Sequence, residues 1–422
     1  MIPTGIAFPP MALVGQTFDA TAIADMDAAV RQAVAPLDLA AAVRPGQSVA
    51  IAVGSRGINR IDEAVAALCA LCRDLGAAPF VFPAMGSHGG ATPEGQTAVL
   101  AALGVTEARV GAPIRATMDT VVLGTALPGL ETHLDAFAAT ADHIIPVGRI
   151  KSHTKFKAPL ESGLFKMMAV GMAKHRGATL MHRMSLAHGF YECIRAAGRL
   201  MLDKTPVLFG LGMVENGFGN AHTVAAVRPA AMEAREEELL RLAKVLSPKI
   251  PFPDIDLLIV DRIGKDISGT GMDTNVTGRN RDILGDFTTT PRVKRVVVRD
   301  LTAKTGGNAL GIGFADFTTD RAVAAMDYAK TVTNALTGVS PEKAAIPIHF
   351  ATDREVVAAA LGSLGHWTPD TVKVVRIADT LHLDRLYASA ALLAACPKDA
   401  TPLERAMPMT FGPDGNLPPF PA

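Results

Sequence analysis

The chain has 422 residues, more than the roughly 250–300 at which a single hydrophobic core stops growing. Hydrophobic residues make up 49% and charged residues 19%, which is typical of a globular enzyme and excludes a disordered or fibrous chain. Lysine plus arginine equal aspartate plus glutamate at 41 each, a balance that gives no electrostatic footprint for a polyanion. We therefore expect two domains and no nucleic-acid partner.

The first residues, MIPTGIAFPPMALVG, lack the basic start and the continuous apolar stretch of a signal peptide. No apolar run elsewhere reaches the length of a membrane span. These features predict a cytoplasmic protein with no membrane partner, and they are compatible with a homo-oligomer.

Strand-like apolar runs alternate with helical patterns from about residue 48: SVAIAVG, APFVFPAMG and HIIPVGRI are each followed or preceded by a helical segment. This order predicts parallel βαβ units. Ligands in such sheets bind beyond the carboxyl ends of the strands, which here are the segments GSRG, GSHGG and RIKSH. We expect these three loops to converge at one edge.

A second block begins after the Pro-rich segment SPKIPFPDID, where IDLLIVDRIGK and PRVKRVVVRDL predict further strands. The helix before it, AAMEAREEELLRLAKVL, has acidic residues early and basic residues late, which favours an exposed position. We predict an α/β fold with a larger, mainly parallel N-terminal domain (residues 1–250) and a smaller C-terminal α/β domain (residues 251–422). The active site is expected in the cleft between them.

Cys69 and Cys72 form a CxxC pattern, which in some proteins holds a metal or a redox disulfide. The segment around them, IDEAVAALCALCRDLG, carries apolar residues at helical spacing and ends at Gly76. We interpret both thiols as buried along a helix, with a redox or zinc role as the alternative.

The segment MGSHGGATPEGQ carries the first candidate site, because a strand runs into a Gly-rich turn and then into a helix that Thr92 caps. Gly86, Gly89 and Gly90 let a ligand approach the backbone, and the free N–H groups of the turn favour an anion. His88 lies in the middle of this turn. Its alternative role is a hydrogen bond that merely holds the loop.

The second candidate site is VGRIKSHTKFKAPLESGLFKMMAVGMAKHRGATLMH, which gathers His153, Lys166, His175 and His182. Lys166 lies in an apolar run, and a desolvated lysine is a usable nucleophile. The alternative is an exposed lysine on an amphipathic helix.

The interval of sixteen residues between Lys166 and His182 would span about 24 Å in an unbroken helix. Gly171 and Gly177 permit a break. If the chain turns back there, one ligand could be anchored on Lys166 and coordinated through a metal by His182. The sequence has no clustered Cys/His set, which argues against a zinc or iron centre built from protein ligands alone.

Over most of its length the chain resembles the lactate racemase family, through GSHGGAT around His88, KSHTKF around His153, and ESGLFKMMAVGMAKHRGA followed by His182. The resemblance implies a nickel-dependent isomerase that racemises or epimerises a small 2-hydroxy acid. Its cofactor would be a nickel-pincer nucleotide, pyridinium-3-thioamide-5-thiocarboxylic acid mononucleotide with nickel. Lys166 would form the thioamide bond to it, and His182 would ligate the nickel.

The same resemblance implies that His88 and His153 are the acid/base pair of a reversible hydride transfer, one for each face of the substrate carbon. Arg56, in the turn GSRG, would grip the substrate carboxylate, with a structural ion pair as the alternative. The enzymes that synthesise the cofactor would be transient partners. Further cofactor contacts are expected from Gly86, Gly89, Gly90 and Ser55.

Two departures from the family pattern bear on the substrate. Val53 stands where the lactate-specific members carry an acidic residue, three positions before Arg56. The approach to the lysine, ESGLFK, is also less rich in glycine than theirs. These differences indicate a distinct branch, so we do not assume that lactate is the substrate.

The C-terminal block contributes a Gly-rich loop, GKDISGTGMDTNVTGRN, immediately after a strand. We expect it to face the cleft, with Asn275 and Arg279 as substrate contacts. Trp367 is a further candidate for the substrate site, and ordinary packing is its alternative role.

Two other functions are compatible with these residues. One is a lyase in which Lys166, His88 and His153 act without a pincer cofactor. The other is a non-catalytic protein that binds a nucleotide or an organic anion through its Gly-rich turns and helix N-termini.

Overall fold

The computed structural model describes residues 5–55, 57–283 and 287–421. It divides into two compact units: an N-terminal unit, Asp19–Ser247, and a C-terminal unit, Pro248–Ala422 together with Met1–Phe18. The first strand, β1 (Pro10–Gln16), belongs to the C-terminal unit because it pairs with strands close to the end of the chain. The predicted first domain included this strand, since local sequence pattern carries no signal for so distant a pairing.

The N-terminal unit is built on a mainly parallel sheet. Its strands are β2 (Ser48–Val53), β3 (Ala78–Pro83), β4 (Thr120–Leu127), β5 (Leu130–Asp135), β6 (His143–Arg149), β7 (Gly210–Glu215) and β8 (Ala221–Val227). The sheet has the order β3–β2–β6–β7–β8, in which β8 is antiparallel to β7 and the other neighbours are parallel. Strands β4 and β5 form a separate antiparallel pair.

Helices surround this sheet, and they account for the continuous apolar runs of its strands. They are α1 (Met26–Val34), α2 (Leu39–Ala42), α3 (Ile61–Asp74), α4 (Pro93–Ala102), α5 (Glu107–Val110), α6 (Leu164–Lys166), α7 (Lys174–His188), α8 (Phe190–Lys204) and α9 (Met232–Leu246). Val49, Ile51 and Val53 of β2 join one hydrophobic cluster with α1 and α3. A parallel strand covered on its faces needs apolar residues at consecutive positions, which explains why the run SVAIAV predicted a strand correctly.

The carboxyl ends of β2, β3 and β6 lie at one edge, because these three strands are parallel neighbours. Gly54 and Ser55 after β2, GSHGG after β3 and RIKSH at the end of β6 therefore leave the sheet at the same edge, as the alternation of strands and helices predicted. This edge holds the residues of interest for function.

The CxxC segment forms helix α3, in which Cys69 and Cys72 are both buried as free thiols. Burial raises the pKa of each thiol to about 12. Both groups therefore stay protonated at neutral pH, which favours the packing role over a metal or redox role.

The C-terminal unit has its own mixed sheet. Its strands after β1 are β9 (Asp254–Ile263), β10 (Arg279–Asn280), β11 (Phe287–Thr288), β12 (Arg292–Leu301), β13 (Phe317–Thr319), β14 (Ile348–Phe350), β15 (Val374–Ile377), β16 (Arg385–Ser389), β17 (Ala400–Pro402) and β18 (Met407–Pro408). The order is β14–β13–β12–β9–β15–β16–β1–β17, with β18 also paired to β1. The five neighbouring strands β14, β13, β12, β9 and β15 run parallel to one another. The pairs that involve β16, β1, β17 and β18 are antiparallel.

Strand β9 shows why the sheet of the C-terminal unit is buried on both faces. Leu257 and Ile259 pack into one hydrophobic cluster, whereas Leu258 and Val260 pack into another. The helices of this unit are α10 (Thr274–Thr277), α11 (Asp320–Ala324), α12 (Tyr328–Thr337), α13 (Asp353–Gly362) and α14 (Ala390–Leu393). Among the described residues of the whole chain, no helix combines the length and the hydrophobicity needed to cross a membrane.

Candidate active site

The turn that carries His88 connects β3 to α4 as the sequence predicts. The Thr92 side chain accepts a hydrogen bond of 3.0 Å from the backbone N–H of Gly95, so Thr92 caps α4. Gly86, Gly89 and Gly90 have φ angles of 58°, 65° and 67°. This left-handed backbone is open to glycine at little cost, so the three glycines are required by the turn itself.

The imidazole of His88 is oriented by its own loop. Its Nδ1 lies 2.8 Å from the carbonyl oxygen of Met85. A carbonyl oxygen only accepts hydrogen bonds, so Nδ1 carries the proton and the neutral ring leaves Nε2 as its basic nitrogen. The structure thus gives His88 the tautomer of a general base.

His153 lies after β6 and contacts the candidate anchoring lysine directly. Its Nε2 is 2.8 Å from Nζ of Lys166, and its backbone N–H donates to Glu161 Oε2 at 2.6 Å. The backbone N–H of Lys155 donates to Nδ1 of His153 at 3.0 Å. Because Nδ1 accepts this hydrogen bond, the neutral ring carries its proton on Nε2. His153 therefore has the tautomer opposite to that of His88.

The chain breaks its helix between Lys166 and His182. Helix α6 continues as a π-helix over Met167–Gly171, and α7 begins only at Lys174. A Cβ atom at Gly171 would lie 2.5 Å from the carbonyl oxygen of Ala84, so glycine is needed where this segment crosses the end of β3. The break predicted from the glycines is present at Gly171.

Lys174 begins α7 with an unusual backbone and a fully buried side chain. Its φ angle is 54°, in the left-handed region that non-glycine residues rarely adopt. Its Nζ donates to the carbonyl oxygen of Pro83 at 2.7 Å and to Oε1 of Gln96 at 2.9 Å, and it lies 3.2 Å from Oδ2 of Asp135. Burial lowers the pKa of Lys174 and raises the pKa of Asp135, and their mutual attraction opposes both shifts.

Gln96 connects this buried pair to the turn of His88. Its Nε2 donates to the carbonyl oxygen of Gly86 at 2.9 Å and to that of His88 at 3.2 Å. The start of α7, which carries His182, and the turn of His88 are therefore held by one hydrogen-bonded network.

An aromatic ring brings His153 and His182 together. The ring centroid of Phe190 lies 5.9 Å from that of His153 and 5.4 Å from that of His182, with an edge contact to the latter. Phe156 contacts the His153 ring as well, with their centroids 4.6 Å apart. It also stacks on Phe190, with a centroid distance of 5.5 Å and an interplanar angle of 5°. Phe190 follows Gly189 at the start of α8, and no sequence motif pointed to it.

Glu236 is hydrogen-bonded to the first turn of α6, the helix that carries Lys166. It lies on α9, in the acidic run that predicted an exposed helix, yet it is buried. Its carboxylate accepts hydrogen bonds from the backbone N–H groups of Leu164 and Phe165, the first residues of α6. A Cβ atom at Gly163 would lie 2.2 Å from its Oε1, so glycine makes room for it. The prediction of an exposed α9 is wrong for the face of the helix that carries Glu236, because this face packs on α6 and β7.

The burial of Glu236 leads to a prediction on stability. Burial raises its pKa from 4.5 to about 7, so between these values the folded chain holds a proton that the unfolded chain releases. The free energy of unfolding should therefore fall as the pH rises through this window, by about 3 kcal/mol in total. Glu236→Gln should remove this fall, as urea denaturation at pH 5 and pH 8 would measure.

The matched control for this experiment is Glu238→Gln, which changes an exposed carboxylate on the same helix. It should keep the wild-type difference between the two pH values. An equal pH dependence in wild type and Glu236→Gln would contradict the assignment of Glu236 as a buried acid.

The remaining predicted residues are distributed over both units. Arg56 lies outside the described residues. Ser55, the residue before it, is described and follows β2. In the C-terminal unit, Asn275 donates to Asp273 Oδ1 at 2.7 Å. Arg279 donates to Asp316 Oδ2 at 2.6 Å, which favours a structural role for it.

Trp367 packs against a hydrophobic cluster of the C-terminal unit. This contact supports the packing role that the sequence left open for it. In the part of the chain that the structure describes, no group of three His, Cys, Asp or Glu side chains is close enough to hold a metal ion.

Comparison with known proteins finds no family model and no curated protein that matches the chain. Among the solved structures that the chain matches are the following two. A crystal structure of a Thermotoga maritima protein has 13% identity and a TM-score of 0.45, covering 82% of this chain and 92% of that one. The lactate racemase apoprotein from Thermoanaerobacterium thermosaccharolyticum has 12% identity and a TM-score of 0.46, covering 82% and 80%. At this distance neither similarity assigns an activity.

Proposed function

We propose that this chain is an isomerase that inverts the C2 centre of a small 2-hydroxy acid, using a nickel-pincer nucleotide attached to Lys166. The observation that carries the proposal is the 2.8 Å contact between Lys166 Nζ and His153 Nε2. It joins the motifs KSHTKF and ESGLFKMMAVG, which resemble those of the lactate racemase family. A tether beside an acid/base group is what the reaction requires.

The chemistry of the side chains fits this cofactor. Lys166 offers an amine for the thioamide bond, and His182 offers an imidazole for nickel at the same Phe190 ring that His153 contacts. Since the described residues hold no cluster of three protein ligands, the nickel would take its other donors from the pincer. When bound, the cofactor supplies the acceptor and donor for the hydride at C2.

The two histidines divide the proton transfers between them. His88 presents an unprotonated Nε2, so it accepts the hydroxyl proton of one enantiomer. His153 carries an N–H at Nε2 that can hydrogen-bond the oxygen on the opposite face, and as the imidazolium it would return a proton there. In the reverse direction the two roles exchange. Arg56, Ser55 and the glycines of the His88 turn remain proposed contacts to substrate and cofactor.

Single substitution of either histidine should slow both directions of the reaction. We expect His88→Gln and His153→Gln each to lower kcat by about 10²–10⁴-fold, the usual contribution of a positioned acid or base. Chiral chromatography of each enantiomer's conversion would measure it. His175→Gln, an exposed change on α7, is the control and should keep the wild-type rate. Full activity in either of the first two variants would remove that histidine from the pair.

The proposed function is tested by following the hydrogen at C2. Loaded protein is given one enantiomer of a set of 2-hydroxy acids, each deuterated at C2, in ordinary water. Inversion with the deuterium retained is expected, because a hydride does not exchange with water. Inversion with loss of deuterium would indicate proton abstraction instead, and no inversion of any acid by protein with a verified adduct would contradict the proposal.

A further inference from the structure

We propose that Glu161 is a positioning residue: through a hydrogen bond to the backbone of His153, it sets where the His153 imidazole stands relative to Lys166. The inference rests on the proposed function for the part that His153 takes in the reaction. Glu161 lies in the segment ESGLFK, which leads to Lys166. The inference is carried by the burial of Glu161 and by the partners of its two carboxylate oxygens.

The loop between β6 and α6 holds His153 without a helix or a strand. Residues 152–161 are all described, and none of them belongs to either kind of element. The ends of the loop are joined by two backbone hydrogen bonds between Lys151 and Ser162, of 2.9 Å and 3.2 Å. Inside the loop the backbone N–H of His153 is buried and needs an acceptor. Oε2 of Glu161 accepts its hydrogen bond at 2.6 Å.

The carboxylate of Glu161 is itself held from outside the loop. Its side chain is 0% exposed, and a buried carboxylate needs a compensating charge. Nζ of Lys244, on α9, lies 2.6 Å from Oε1, and Nζ of Lys157 lies 4.0 Å from Oε2. Glu161 therefore has a fixed place from which it holds the backbone of His153.

Helix α9 relates the loop of His153 to the helix of Lys166. Lys244 contacts Glu161, and Glu236, about two helical turns earlier on α9, accepts hydrogen bonds from the first residues of α6. Both sides of the 2.8 Å contact between His153 Nε2 and Lys166 Nζ are thus tied to one helix. A shift of about 1 Å in such a group can lower the rate about 10²-fold.

The kinetic test is a double-mutant cycle on protein with a verified adduct. Glu161→Leu should lower kcat about 10²-fold and leave KM within about twofold, because His153 acts on the reacting atoms rather than in binding. Glu161→Gln keeps an oxygen for the His153 N–H and should stay within about tenfold of the wild-type kcat. Glu238→Leu, the same replacement at an exposed position of α9, is the control and should keep the wild-type rate.

The cycle is completed by adding Glu161→Leu to His153→Gln. The second change should then cost no more than about twofold, because the side chain that Glu161 positions is already absent. A further loss of about 10²-fold in the double variant would overturn the proposal, since it would show a general structural effect. Full activity in Glu161→Leu would also overturn it.

A second measurement needs no activity and no variant. The protein is made in a host that lacks the cofactor-synthesis enzymes, and amide hydrogen exchange is resolved to single residues by mass spectrometry. The wild-type His153 N–H should exchange at least about a hundredfold slower than in an unstructured peptide. Glu161→Leu should remove this protection and leave that of α8 unchanged. An unprotected His153 N–H in wild type, or unchanged protection in Glu161→Leu, would overturn the proposal.

The two measurements separate this inference from the proposed function. Wild-type protein that carries the adduct, inverts no acid and protects the His153 N–H would contradict the proposed function and leave the contact with Glu161 standing. Active protein with an unprotected His153 N–H would do the opposite.

Discussion

Replacement of Lys166 by alanine is expected to abolish the isomerase activity, a loss of at least about 10⁶-fold, the lower end of enzymatic rate enhancements. The reason is that the variant offers no amine for the thioamide bond, and the hydride acceptor is then not held beside His153. The measurement is chiral chromatography of the product, together with the nickel content of the purified protein. Both should fall to background.

Two variants serve as controls for Lys166→Ala. Lys157→Ala removes an exposed lysine of the same loop region and should retain the nickel and the covalent adduct. His182→Ala should retain the organic part of the cofactor and bind nickel poorly. An organic adduct retained in Lys166→Ala, or lost in His182→Ala, would contradict the proposed division of roles between tether and metal ligand.

The largest effect on stability is expected from Asp353→Ala in the C-terminal unit. The buried carboxylate of Asp353 accepts hydrogen bonds from Arg299 Nε at 2.9 Å, from Arg321, and from the backbone N–H of Leu417 at 2.9 Å. Arg299, itself largely buried, also pairs with Asp261 at 2.6 Å. Removing one partner of a buried ion pair leaves charge uncompensated and costs about 3–5 kcal/mol.

Urea denaturation followed by the fluorescence of Trp367 measures this loss, because the lone tryptophan is partly buried against a hydrophobic cluster of the same unit. The control is Asp254→Ala, which breaks an exposed pair with Arg292 and should cost less than about 1 kcal/mol. Equal losses in the two variants would contradict the importance of burial.

The pH dependence of this effect has a definite sign. Burial alone would raise the pKa of Asp353, but the hydrogen bonds and charge of Arg299 hold it below its ordinary value of 3.8. The stabilisation is therefore complete above about pH 4 and is lost as the pH falls through the lower, folded-state pKa. The difference between wild type and Asp353→Ala should shrink in acid.

Features that depend on residues close together in the sequence were predicted correctly. The cap of α4 follows from Thr92 and the proline after it, and the burial of Cys69 and Cys72 follows from helical spacing. Strand β9 was predicted from its continuous apolar run, which occurs because both faces of this strand are covered. Each of these depends on residues that are neighbours along the chain.

Features that depend on distant contacts were not predicted. The pairing of β1 with β16 joins residues at opposite ends of the chain. Glu236 and Lys174 are polar residues whose burial depends on partners from other elements, so polarity alone suggested exposure for Glu236. Phe190 carried no motif, because its contact with two histidines exists only after the helix breaks near Gly171.

The most direct test of the proposed isomerase is the mass of the protein itself. The chain is co-expressed with the cofactor-synthesis enzymes, purified without oxygen, weighed intact and then mapped as peptides. A nickel-containing adduct on Lys166 is the expected result. If a known lactate racemase is loaded in parallel while this chain stays unmodified, or if the adduct lies on another residue, the role proposed for Lys166 is wrong.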